Sequence, residues 1–268
     1  MRAPLFAVAA LALAACSGPV PCENSLPGGC GPTPAPAAPE APSAPLAVEV
    51  IADSIVVDDP ARRLAVALRY PVVQGGIAGR EAINRQLRET AEDFWRGVAP
   101  SEPVAADAPA HEATEVEGHF EVHHADSDLV SVFQWTWAYT GGAHGNSFFH
   151  PQTYDARTGR PLALGDVIRV TPEALTALRD AVLVRLVGAA AERFETDRGD
   201  AREQLWLDDV TATQEAFEGI WTVGAKGLTV HYAPYAVGPY AAGPWEVTVP
   251  YEDLEGHLTP VTERLRTL

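Results

Sequence analysis

Residues 129–145 read LVSVFQWTWAYTGGAHG, and their alternation is that of a strand. Successive side chains on a strand point to opposite faces, so Phe133, Trp135, Trp137 and Tyr139 share one face while Val132, Gln134, Thr136 and Ala138 share the other. One strand therefore presents a column of aromatic rings. It ends in Gly141 and Gly142, which admit positive φ, followed by Ala143, His144 and Gly145, so the backbone must turn sharply beside the last ring. Two readings follow from this pattern. The rings are a core surface packed under a helix, or they are a platform on which a glycan stacks.

Working outward, Glu115 to His124 reads as the neighbouring strand, joined through a short turn at Ala125 to Asp128. One of its faces carries Glu117, His119, Glu121 and His123. Adjacent same-face residues on a strand diverge, so this row reads as an exposed polar face and no metal site is expected. Upstream, Val48–Val57 and Leu64–Val73 form a hairpin over Asp58, Asp59 and Pro60. Ile83, Leu87, Ala91, Phe94 and Val98 mark the apolar face of a helix from about Ala78 to Val98. Ala99 to Ala113 is a loop with several prolines.

Downstream, Phe148–Tyr154 and Arg160–Leu164 are expected to pair as a hairpin, with Asp155 opening the turn and Gly159 closing it. Thr171 caps a long helix with Pro172 in its first turn and Leu175, Leu178, Val182, Leu186, Ala190 and Phe194 as its buried stripe. A weaker helical patch spans Asp200 to Phe217. Ile220–Val223 and Leu228–Tyr232 form a further hairpin, and Trp245–Pro250 is the last strand.

The connection from Ala233 to Pro244 is longer than hairpin loops usually are and contains PYAVGPYAAG. Its prolines pre-shape it, and rigid aromatic loops lose little entropy on binding, which makes Tyr235, Pro239 and Tyr240 candidates for a recognition loop. The other reading is that the loop folds back and plugs its own domain. No HEXXH, GXSXG, phosphate-binding glycine loop or CXXC occurs. No catalytic residue and no cofactor is assigned. His144 is the one side chain to test as a general acid or base, against its reading as a hydrogen-bonded turn residue.

Residues 1–15 have the pattern of a lipoprotein signal peptide, with Arg2, an apolar run too short for a stable span, and LAAC ending at Cys16. Acylation of Cys16 would tether the chain to a membrane. Residues 16–47 are rich in Pro and Ala and read as a tether. Cys22 and Cys30 lie within it, and an exported compartment favours their pairing as a disulfide over free thiols. The net charge is −17 and Lys226 is the sole lysine, so nucleic acid is not an expected partner. A basic protein would be attracted.

YTGGAHG at 139–145, YDARTGRPLALGDV at 154–167 and KGLTVHYAPYAVGPYAAGPWEVTVPYEDL at 226–254 occur in an order that resembles a known family. It is that of the extracellular domain of RsiV, the lysozyme-responsive anti-sigma factor, and of the accessory domain of PdaC-type peptidoglycan deacetylases. The resemblance implies an α+β fold, an antiparallel sheet packed with helices, in two consecutive sub-domains at 48–150 and 151–268. It also implies a place at the cell envelope and loops able to bind lysozyme. Ala236 stands where many members carry an acidic residue after the first loop tyrosine, and a lipobox stands where RsiV has a spanning helix. The expected function is a non-catalytic envelope lipoprotein whose loops, Tyr235, Pro239, Tyr240, Gly141, Gly142 and His144 among them, bind a lysozyme-like muramidase or peptidoglycan glycan. An envelope enzyme acting on glycan near His144 is the alternative.

Overall fold

The computed structural model describes residues 47–105, 107–108 and 113–268. The signal peptide, the tether, Cys16 and the Cys22–Cys30 pair lie outside the described residues. Among the described residues no helix is long and apolar enough to cross a membrane.

The described residues form one compact unit of α+β architecture. Strands β1 (Glu49–Asp59), β2 (Leu64–Gln74), β3 (Thr114–Ala125), β4 (Leu129–Tyr139) and β5 (Asn146–Asp155) form a five-stranded sheet in sequence order. Its pairings are antiparallel except that of β2 with β3, which is parallel. Helix α1 (Arg80–Val98) makes that parallel pairing possible, since two parallel neighbours need a crossover. The sheet continues through Asp155, so a boundary at residue 151 would cut β5.

Helix α1 buries Ile83, Leu87 and Ala91 against this sheet. At about 2 kcal/mol for each fully buried leucine or isoleucine, this stripe is what fixes the helix to its layer. The expectation that the β4 aromatics pack under a helix is overturned. Helix α1 sits instead on the face of Val130, Val132, Gln134, Thr136 and Ala138, where Gln134 Nε2 donates to the Leu87 carbonyl at 3.3 Å and to Gln152 Oε1 at 2.7 Å. Small side chains such as Ala91 and Ala138 share one core cluster there. The aromatic column therefore faces the opposite way.

What it faces is a second sheet, built by β6 (Trp221–Gly224), β7 (Gly227–Tyr232) and β8 (Trp245–Val249), all antiparallel. Val223 N donates to Ser131 Oγ at 3.0 Å, and the Phe133 ring stacks on His231 with centroids 4.2 Å apart. The other face of this small sheet packs its Trp221, Val223, Leu228, Val230, Trp245, Val247 and Val249 with helix α3 (Pro172–Arg193). The layers are thus α1, large sheet, small sheet, α3. Thr171 caps α3 by accepting from Ala174 N, with Pro172 next, as its sequence implies.

Several local expectations are corrected. Arg160–Leu164 is not a strand: one bridge joins Tyr154 to Pro161, and Leu164 opens the short helix α2 (Leu164–Val167). The turn itself forms as read, with Asp155 Oδ1 accepting from Arg157 N and Thr158 N and Gly159 at φ 74°. Asp200–Phe217 is not one helix but α4 (Arg198–Glu203) followed by a single 3₁₀ turn at Leu207–Asp209. A last helix, α5 (Pro260–Leu265), ties the C-terminus to the β3–β4 turn through Arg264, whose Nη1 donates to Asp126 Oδ2 at 2.7 Å. Burial alone would raise the Asp126 pKa, but Arg264, His124 and two backbone N–H groups outweigh it and hold the carboxyl well below the usual range.

Candidate functional site

The small sheet is shorter than the column of rings it covers. It meets β4 at Ser131 and Phe133 and leaves Trp135 half-buried beyond its edge. The result is a cavity of about 240 Å³ that wraps around the start of β8. His119, Glu121, Phe133, Trp135 and Phe149 line it from the large sheet. Arg193, His231, Pro244, Trp245 and Glu246 line it from the C-terminal half.

Strand register explains the first wall. Glu117, His119 and Glu121 lie opposite Trp137, Trp135 and Phe133, and Trp135 lies opposite Phe149 of β5. Directly opposed residues share a face, so a row of carboxylates and imidazole runs beside the aromatic column. His119 leans on Trp135 with ring centroids 4.3 Å apart. The register then shifts between Val122 and His124, and this bulge makes His123 the extra residue and turns it toward the small sheet. Among the described residues no group of three or more His, Cys, Asp or Glu is placed to hold a metal ion.

The second wall is built by β8 and α3. The Arg193 guanidinium lies 3.6 Å over the Trp245 ring and donates to the carbonyls of Ala242 and Pro244. This contact fixes the end of the long loop to the helix. Burial lowers the Arg193 pKa, yet the side chain remains charged at neutral pH.

A polar chain crosses between the two sheets under the cavity. His123 Nδ1 and His231 Nε2 both contact Thr222 Oγ1, at 3.0 and 2.7 Å, and His231 Nδ1 lies 3.8 Å from Glu246 Oε2. A hydroxyl has one proton, so Thr222 donates to one ring and accepts from the other. Donation to His231 Nε2 leaves the His231 proton on Nδ1, facing the Glu246 carboxylate, which is the electrostatically favoured arrangement. Burial, and secondarily His123, pulls the His231 pKa down to about 3. Burial also lowers the His123 pKa. The Glu246 pKa is raised by burial and by the nearby Glu121 carboxylate.

The residues singled out in sequence occupy the next position along the column. Gly141 and Gly142 have φ of 96° and 99° and make the expected turn. Gly145 passes so close to Trp137 that a Cβ there would lie 2.3 Å from the indole, which only glycine allows. The two separate candidates converge here, because Tyr240 Oη donates to the Gly145 carbonyl at 2.8 Å and its ring stacks on His144 at 4.0 Å. Within the long loop Val237 and Ala242 are buried as anchors, while Pro239 and Tyr235 point outward, Tyr235 at 50% exposure and φ 72°. The loop is therefore pinned at its base and open at its tip. His144 is exposed, and its Nδ1 contacts the Gly145 carbonyl at 2.9 Å.

Arg193, His231, Trp245 and Glu246 are functional candidates that sequence reasoning missed. The signal was present in GLTVHY: alternation puts Thr229 and His231 on one face of a strand that is buried on both.

Architecture and cleft together define an α+β domain built from two sequence modules. Residues 61–147 match the family model described as Deacetylase PdaC, and residues 172–252 match DUF3298, a protein family of unknown function. The chain thus carries a PdaC-type segment followed by a DUF3298 segment, an order consistent with the PdaC/RsiV-like resemblance. Two crystal structures of DUF3298-family members share the fold. One, from Bacteroides fragilis, is 20% identical with a TM-score of 0.58, covering 83% of this chain and 98% of its own. The other, from Pseudomonas aeruginosa, is 17% identical with a TM-score of 0.54, covering 81% and 96%. A comparison with curated proteins finds no match. The cleft takes one wall from each module: His119, Glu121, Phe133 and Trp135 fall in the first match, Arg193, His231, Trp245 and Glu246 in the second.

Proposed function

We propose that the protein is a non-catalytic cell-envelope lipoprotein that holds a segment of peptidoglycan glycan in the cleft between its two modules. The observation that carries this reading is the half-buried Trp135, set among Phe133, Phe149 and Trp245 with Glu121, His119 and Glu246 beside it. Apolar faces of a sugar ring stack on aromatics while its hydroxyls need polar partners, and a concave site of mixed lining offers both. The enzyme reading at His144 has less support, because the imidazole stacks on Tyr240 and contacts a backbone carbonyl, with no carboxylate hydrogen-bonded to orient it among the described residues. Attachment through lipidated Cys16 completes the proposal, and loss of the Cys16→Ser variant from washed membranes tests that part.

Titration of purified domain with soluble peptidoglycan oligosaccharides tests the cleft. Trp135→Ala should weaken binding about tenfold, on the order of 1–2 kcal/mol, with the melting temperature nearly preserved. Unchanged affinity would remove the cleft from the reading, and release of new reducing ends would overturn its non-catalytic part.

The half-exposed Tyr235 on a loop pinned by Arg193 favours one second reading, capture of a lysozyme-like protein. In that case Tyr235→Ala, and not Trp135→Ala, should reduce capture, and association should slow with salt because the chain is strongly acidic.

A further inference from the structure

We infer that the cleft selects a protonated amine, so that the glycan it takes is an amino sugar whose nitrogen is free and not acetylated. The inference rests on the glycan-cleft reading and goes further, to the substrate class. Glu121 and Glu246 stand on opposite walls of the same cavity, and neither is paired with an arginine or lysine among the described residues. The one cation on the wall, Arg193, is committed to two backbone carbonyls and to the face of Trp245. His231, the nearest basic group to Glu246, is buried and held neutral.

Two carboxylates thus face one aromatic space that holds a single guanidinium, which hydrogen-bonds to neither of them, so the lining is net negative. Their mutual repulsion is visible in the Glu246 carboxyl, which burial and Glu121 push upward. An ammonium group entering the space relieves that repulsion, and Trp135 and Phe133 supply the ring faces that attract cations. A neutral acetamido group relieves nothing, and a sugar carrying a carboxylate is repelled. Trp245 lines the cavity at 2% exposure, and its indole N–H has no partner among the described residues. The cavity is of a size for a single sugar ring.

The experiment is calorimetric titration at pH 6 with tetraglucosamine and with tetra-N-acetylglucosamine, using the intact domain. The free-amine oligomer should bind at least about tenfold more tightly, and the preference should shrink with added salt. Glu121→Gln combined with Glu246→Gln should collapse the preference toward parity; both side chains are solvent-accessible, and a thermal melt verifies that the fold is kept. Equal or tighter binding of the acetylated oligomer would overturn this inference and leave the glycan cleft standing. Binding of neither oligomer would overturn both. Equal affinity for a lysine tetrapeptide would show that charge alone is read and would overturn the amino-sugar assignment.

Discussion

At pH 4 the protein is expected to be about 3 kcal/mol less stable to unfolding than at pH 7.5, with His231 as the main cause. Its folded pKa lies at about 3, against 6.5 for the free side chain. Between those values the unfolded chain binds a proton that the folded chain refuses, so stability falls as pH drops below about 6.5, by roughly 1.4 kcal/mol per unit. His123 and His150 are shifted in the same direction by burial and add to the slope. Asp126 acts lower on the scale: its depressed carboxyl contributes stability above the ordinary carboxylate range, near pH 4, and loses it only as pH falls further. The group responsible is separable by substitution. His231→Phe keeps a ring stacked on Phe133 and leaves Thr222 bonded to His123, so it should fold and should remove about half or more of the drop. Urea unfolding at both pH values measures this. An unchanged drop in the variant would show that His231 is not the group that titrates.

Trp245→Ala is expected to cost about 3 to 5 kcal/mol, the range for removing a large aromatic from a core. The ring is 2% exposed, makes an edge contact with Phe194 and carries the Arg193 guanidinium on its face. Its loss opens a cavity in the main core and also releases the end of the long loop, because Arg193 loses the surface that positions it for Ala242 and Pro244. Trp245→Phe should recover more than half of the stability by refilling most of the space. A cost below about 1 kcal/mol for the alanine variant, read by urea unfolding, would mean that the ring is not part of the packed core.

Both effects arise where the two modules meet. The small sheet covers β4 only as far as Phe133 because its strands are short, 4, 6 and 5 residues. An opening at Trp135 follows from that mismatch in length.

The amino-acid sequence by itself determined the elements whose signals are local. Helix α3 was legible because Thr171, Pro172 and a regular apolar stripe lie within a few turns of one another, and β4 because its rings alternate with smaller or polar residues from Phe133 to Tyr139. The GGAHG turn followed in the same way from two glycines that tolerate positive φ. Alternation also said that the faces of β4 differ. It did not say which neighbour each face would take, since Gln134 and Thr136 look like a solvent face until their bonds to Leu87, Gln152 and His150 are seen. Tertiary structure decided that the polar, small face lies under α1 and the rings face a second sheet. It alone made β2 and β3 parallel, because pairing across the long crossover between Gln74 and Thr114 depends on where α1 packs and not on any residue in either strand. It alone brought Tyr240 into contact with Gly145, and Glu246 and Arg193 to the cavity that Trp135 lines, although these residues lie far apart in sequence. Such contacts are set by which buried surfaces fit together, a property of the whole packed chain that no local pattern encodes.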